Sequence, residues 1–344
     1  MGQHWTAQGD AGMSEAKMLC GTCLSPGRFE LVERPVPEEA PEGWVLVDIA
    51  VAGLCGTDYH IFEGKHPYLD YPRVIGHELS GRMAQAGHGF AKGQLVVINP
   101  YVACGTCHAC KRGKPNCCMA IGVLGVHRDG GICARIAVPA GNLYDATGLT
   151  ARQAALVEFL AIGAHAVRRS GMGADDRVLV TGAGPIGLGA ALFARTTGAE
   201  VHMMDTNAER LAAAARLGFA DLHQPATLPA GGFDVVMDAT GNPRAMEAGF
   251  AHVAHGGTYV LVSVVKDDLR FNDAEFHKRE MRLVGSRNAL AEDFQAVMAA
   301  LRSGAVPSEA LISTSMPLAD LPRRIAELAA DRGAVIKAIV EIAP

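Results

Sequence analysis

The sequence Gly182-Ala-Gly184-Pro-Ile-Gly187 constrains the fold more than any other stretch of this chain. It follows directly on the β-like run Arg177-Val-Leu-Val-Thr and opens a helical pattern that continues through Ala190 to Arg195, before a second β-like run, Glu200 to Met204. A lone G-x-G-x-x-G is weak, but a strand, a glycine turn and a helix in this order form the first unit of a dinucleotide-binding sheet. Gly182 suits the tight turn, Gly184 lets a pyrophosphate approach the backbone, and Gly187 lets helix and strand pack closely. Pro185 and Ile186 lie between them at the helix start, where phosphates bind. Asp205, about twenty residues beyond the glycines, stands where an acid bonds the adenosine ribose. Its charge would repel a 2′-phosphate and favours NAD over NADP. Arg210 could argue the other way, toward NADP, but on the following helix, Asn207–Leu217, it is expected to cover only the adenine side. Further alternation (Phe233–Asp238, a helix near Ala245–Ala254, Thr258–Val262, Arg282–Gly285) predicts a doubly wound parallel sheet.

Upstream the pattern differs. From Met18 to about Val138, short β-like runs such as Trp44–Val51 and Gln94–Asn99 are separated by Gly and Pro, which predicts a barrel-like β domain. Its loops carry Cys55-Gly-Thr-Asp58-Tyr-His60 and Gly76-His77-Glu78. A thiolate, an imidazole and a carboxylate suit zinc. The twenty-one residues between Cys55 and His77 require two separate loops, as in an open catalytic site. A buried cysteine near a hydrogen-bonded core histidine is the alternative reading of this stretch.

Cys104, Cys107, Cys110 and Cys118 follow C-x2-C-x2-C-x7-C in a polar lobe, and four thiolates closing on one ion make a structural zinc site. The spacing does not match ferredoxin patterns. Cys117 competes with Cys118 for the fourth place. Cys20-Gly-Thr-Cys23 lacks a second pair nearby and is read as structural. Five of the nine cysteines lie between Cys104 and Cys118, which favours metal ligation over disulfides in a chain without a signal peptide.

Thr150–Arg169 is helical in composition and holds Glu158 within Ala-Leu-Val-Glu-Phe-Leu-Ala-Ile. A carboxylate buried there needs a partner or a cation; an exposed helix end is the alternative. A final helix, Ala291–Arg302, precedes an apolar strand, Ala334–Ile342, expected to return to the first domain. At 344 residues two domains are expected: a β-rich one over 17–160 and 300–344, and a nucleotide-binding one over 161–299, after a leader at 1–16. Met1–Ser14 reads as unstructured, with Met13 an alternative start. A net charge of −5 without a basic block argues against nucleic acid or an anionic membrane as partner. No apolar run reaches the ~18 to 20 residues of a membrane span, so the expected location is the cytoplasm and the expected ligand a small molecule.

The β-rich first domain, the Cys-His-Glu site, the cysteine ladder and the mid-chain fingerprint, in that order, resemble the zinc-dependent medium-chain dehydrogenase/reductase family of alcohol, sorbitol and threonine dehydrogenases. The resemblance covers nearly all the chain after the leader. It implies an α/β architecture, a GroES-like catalytic domain joined to a Rossmann domain, with the active site in the cleft between them. It also implies two zinc ions per chain, NAD as hydride acceptor, and a homodimer or homotetramer.

By the same resemblance Cys55 and His77 are catalytic zinc ligands, Glu158 is a ligand directly or through water, and Glu78 is an acid able to exchange into the shell. Thr57 bonds the substrate oxygen and Asp58 orients His77. His60 either relays the proton or is structural in its loop. Liver-type alcohol dehydrogenases place a cysteine where this chain has Glu158, which moves the expected substrate from simple alcohols to polyols and hydroxy acids.

The segments Cys55-Gly-Thr-Asp-Tyr-His-Ile-Phe-Glu-Gly, Leu124-Gly-Val-His-Arg-Asp-Gly-Gly and Gly285-Ser-Arg-Asn look like those of bacterial sugar-acid dehydrogenases of the L-galactonate and L-gulonate type. A carboxylate substrate needs a cation, with Arg128, Arg287 and Lys65 as candidates. His66 and Tyr68 are candidates for the pocket wall. Rival functions are an aliphatic alcohol dehydrogenase and a dinucleotide-binding redox sensor without turnover.

Overall fold

The computed structural model describes residues 16–66, 69–229, 232–331, 333 and 335–342. Residues 1–15 of the expected leader, and Tyr68, lie outside these. Alternating apolar residues in the first third fold into two antiparallel-rich sheets. Lys17–Ser25 and Arg28–Pro35 form a hairpin extended by Arg73–Val74. The larger sheet has Trp44–Leu54 at its centre, flanked by Glu78–Met83 and by the tail strand Lys337–Glu341. Gly53 pairs with Glu78 on one side and with Ile339 on the other. The chain end therefore does return to the first domain.

The six-stranded parallel sheet takes the spatial order Leu222–His223, Glu200–Met204, Arg177–Thr181, Phe233–Asp238, Val253–Leu261, Arg282–Gly285. Numbered along the chain within this sheet the order is 3-2-1-4-5-6, and it reverses between Arg177–Thr181 and Phe233–Asp238. Ligands of such sheets bind outside the carboxyl ends of the strands at this reversal. Gly182 follows the first strand with a φ of +90°, and Gly184 caps the helix Pro185–Thr196 with proline in its first turn.

Several elements differ from expectation. The helix over 150–169 is two: Thr150 caps Ala151–Ala155 with its hydroxyl on the Gln153 amide, and a new helix, Val157–Ser170, starts after Leu156. The helix expected near Ala245–Ala254 begins at Pro243, capped by Asn242, and ends at Gly249, where an added Cβ would lie 2.1 Å from the Tyr259 hydroxyl. The strand after it starts at Val253 rather than Thr258. A strand, Ile312–Pro317, and an amphipathic helix, Leu321–Ala330, occupy the stretch before the tail. Helices Val157–Ser170 and Ala291–Ser303 run through the expected domain limits at 160 and 300 and pack on each other. Among the described residues no helix is long and apolar enough to cross a membrane.

Candidate metal centre and cofactor cleft

The strand Trp44–Leu54 ends at Cys55, which caps the short helix Gly56–Phe62. Asp58, on the first turn of that helix, is fully buried. Its Oδ2 accepts the Cys55 amide at 2.8 Å and its Oδ1 accepts the Gly76 amide at 3.2 Å. One carboxylate thus joins the two loops that bear Cys55 and His77. Burial raises its pKa although His77 and both amides oppose the rise. Asp58 Oδ1 also stands 3.7 Å from Nδ1 of His77, which has no hydrogen-bond partner, leaving the other ring nitrogen for a metal.

Ligand atoms of Cys55, His77 and Glu78 all lie within 4.8 Å of one another. Cys55 Sγ is 3.8 Å from the Thr57 hydroxyl. Glu78 is fully buried, and Lys337 Nζ donates to its two oxygens at 2.6 and 2.7 Å. A Cβ at Gly53 would come 2.2 Å from Glu78 Oε2, so only glycine leaves room for the carboxylate there. Glu158 lies outside the three-residue group but borders it, buried and hydrogen-bonded by the Tyr101 hydroxyl. Burial, with help from Glu78, raises its pKa to about 7. Burial would depress His77, yet Asp58, Cys55 and Glu158 together raise its pKa well above the ordinary value. Cys55, Glu78 and Glu158 face one buried lysine, Lys337. This donor set, one sulfur, one nitrogen and carboxylate oxygens in a pocket that favours positive charge, fits zinc.

The second group is Cys104, Cys107, Cys110 and Cys118, again within 4.8 Å. Cys118, buried, is the fourth member, while Cys117 is exposed outside the group. Amides of Thr106 and Cys107 lower the Cys104 pKa to about 6, which favours the thiolate that binds metal. Cys20 and Cys23 are buried along the first strand.

In the cofactor cleft a Cβ on Gly184 would meet nothing within 4 Å, whereas one on Gly187 would lie 1.7 Å from the Gly182 carbonyl oxygen. Asp205 Oδ2 accepts the Ala183 amide at 2.7 Å and Oδ1 the Asn207 amide at 2.8 Å. The acid therefore also ties the glycine turn to the second strand. Arg210 Nη1 is 3.7 Å from Asp205 Oδ2, and Arg210 lines a small pocket with Gly184, Pro185 and Leu188. Ile186 is half-buried on the first turn of the helix.

The candidate cations are dispersed. Lys65 pairs with Glu63 at 3.1 Å and is 65% exposed. Arg128 lies over the Trp44 ring at 5.8 Å, at the opposite end of the strand from Cys55. Arg287 is exposed near His127, whose pKa is lowered by burial and then by that guanidinium. His60 is exposed on the helix that carries Thr57, and His66 is half-buried in the loop beyond. Sequence reasoning missed Lys337, Tyr101 and Asn116. Lys337 left a signal, a lysine inside the apolar run Val335-Ile-Lys-Ala-Ile-Val, since a buried charge needs a partner. Nothing in the sequence marks the other two.

Residues 41–148 match the alcohol dehydrogenase GroES-like domain and residues 185–303 the zinc-binding dehydrogenase domain. The chain is 41% identical over 316 residues to L-galactonate-5-dehydrogenase of Escherichia coli, covering 87% of this chain and 92% of that protein. It is 33% identical over 311 residues to D-altritol 5-dehydrogenase of Agrobacterium fabrum, with coverage of 87% and 92%. Among solved structures, the alcohol dehydrogenase rspB of Escherichia coli, crystallised with NADH, superposes with a TM-score of 0.88 at 28% identity over 95% of this chain and 99% of that one. The chain belongs to the zinc-binding alcohol dehydrogenase family with a GroES-like domain.

Proposed function

We propose that this protein is a zinc-dependent dehydrogenase that moves a hydride from a secondary alcohol of a sugar acid or polyol to NAD. The observation that carries this is the convergence of Cys55, His77 and Glu78 within 4.8 Å, beside Glu158, in a chain that also carries the glycine turn. The substrate class is supported by relatives named for a sugar acid and for a polyol.

Bound in this cleft, zinc would supply the Lewis acidity that makes a substrate hydroxyl easier to deprotonate, and NAD would supply the hydride acceptor for oxidation to a ketone. Cys55 and His77 would hold the metal, with Glu158 or Glu78 completing the set. Asp58 keeps the two loops in register and orients His77. The Thr57 hydroxyl takes the proton of the substrate hydroxyl as it passes its own on, through His60 or a cofactor ribose, to solvent. The amides at the start of helix Pro185–Thr196 hold the pyrophosphate, and Asp205 favours NAD over NADP. Cys104, Cys107, Cys110 and Cys118 hold a second, structural zinc. The working form is a homodimer or homotetramer in the cytoplasm.

The test is a panel of aldonates, polyols and primary alcohols assayed with NAD and with NADP. Fastest turnover of an aldonate or polyol with NAD is expected. Preference for primary alcohols makes it an aliphatic alcohol dehydrogenase, and zinc-loaded protein without turnover makes it a sensor.

A further inference from the structure

Asn116 sits in the turn Pro115–Cys117, inside the cysteine ladder and two residues before Cys118, yet it is 5% exposed and faces the cofactor domain. Its side-chain Nδ2 donates to the Arg287 carbonyl at 3.0 Å, while its own carbonyl accepts Nδ2 of Asn288 at 3.0 Å. The two bonds run in opposite directions and close a clasp between residue 116 and the pair 287–288. Asn288 has a φ of +53°, a left-handed conformation that costs energy outside glycine and is least costly for asparagine. The surrounding contacts must hold it there.

Behind the clasp the bonds continue. Asn116 Nδ2 is 3.3 Å from Nε2 of His165, and Nδ1 of His165 is 2.7 Å from Asp293 Oδ2. Arg168 donates to both Asp293 oxygens at 2.7 and 3.0 Å, and the Leu290 amide donates to Oδ2 at 2.8 Å. With Asp293 ionised, Nδ1 of His165 donates to it and Nε2 accepts from Asn116, whose own Oδ1 is buried without a partner. The chain of bonds joins the four-cysteine lobe, the helix Val157–Ser170 whose first turn bears Glu158, and both ends of the loop Ser286–Leu290.

We infer that Asn116 is a positioning residue through which the four-cysteine lobe sets the loop Ser286–Leu290, and with it Arg287, at the edge of the cofactor domain. Metal in the lobe would order Pro115–Cys117, and the clasp would transmit that order to residues 171 and 172 positions away in sequence. Its effect on turnover rests on the proposed activity, but its effect on the loop does not.

The experiment is hydrogen–deuterium exchange on the zinc-loaded full chain, wild type against Asn116→Ala and Asn288→Gly, with zinc content and Michaelis constants measured on each. Asn288→Gly removes one bond and relieves the left-handed strain, so it should fold even if Asn116→Ala does not. Both variants are expected to keep the wild-type zinc content and the wild-type exchange of 104–118. Exchange of 286–290 should rise on the order of tenfold, and KM for substrate should rise more than kcat changes. Unchanged exchange at 286–290, or an equal rise across the whole chain, overturns the inference. Absence of turnover in the wild type with every substrate, with the local exchange change present in the variants, sinks the proposed activity and leaves the clasp standing.

Discussion

Lys337 and Glu78, 259 residues apart, form a fully buried ion pair with Nζ at 2.6 and 2.7 Å from the two carboxylate oxygens. Burial opposes the charge on Lys337, but Glu78, Cys55 and Glu158 outweigh it and raise its pKa. The lysine also donates to the Leu54 carbonyl at 3.2 Å and lies over the Phe159 ring. The pair therefore anchors the tail strand beside the metal ligands and turns Glu78 toward the lysine. Removing one member of a buried pair leaves the other unpaired, so Lys337→Met should cost about 3 to 5 kcal/mol in urea unfolding. The double variant Lys337→Met/Glu78→Leu should regain most of that. Additive losses would show that the pair contributes nothing as a pair.

Asp58 holds two loops rather than a metal. Asp58→Asn keeps the shape but weakens its hold on the Cys55 and Gly76 amides and its charge beside His77. A drop of about 10- to 100-fold in activity or in metal affinity of the first site is expected, with the four-cysteine site still loaded. Equal loss of both metals would point to unfolding instead.

The glycine turn offers a paired test. Gly184→Ala adds a methyl that meets no protein atom, so melting temperature should hold while affinity for NADH, followed by fluorescence, falls about tenfold or more. Gly187→Ala drives a Cβ into the Gly182 carbonyl and should lower the melting temperature as well. Should Gly184→Ala bind NADH normally, the phosphates do not lie against that turn.

Asp293 gives stability a defined acid limit. Burial raises its pKa, but His165, Arg168 and the Leu290 amide together bring it from 3.8 down to about 2. A depressed carboxylate contributes its stability in full above the unfolded value and loses it as pH falls through the folded one. Urea midpoints should therefore drop between about pH 4 and pH 2, by the equivalent of about 2 kcal/mol. Asp293→Asn should flatten that part of the profile; an unchanged slope would assign it to other groups.

What was legible in the sequence is what residue type alone enforces. Gly182, Gly184 and Gly187 mark backbone demands no other residue meets, and Cys104, Cys107, Cys110 and Cys118 are spaced by the reach of one ion. Cys55 and His77 were legible for the same reason. Contacts made by long-range pairing were not: Glu78 finds Lys337 only because two strands flank Trp44–Leu54. Tyr101 meets Glu158, and Asn116 meets Arg287, through the docking of whole elements. The break at Leu156 and the early start of Val253–Leu261 were missed because local periodicity there is overridden by packing.

The proposed catalytic zinc site is formed by Cys55, His77 and their neighbouring acids. Its most direct test is NAD-dependent oxidation of an aldonate by Cys55→Ala beside the wild type, with zinc counted in both. The variant should lose one zinc per chain, keep the zinc of the four-cysteine lobe, and show no turnover above background. Full activity in Cys55→Ala, or an unchanged zinc count, would contradict it.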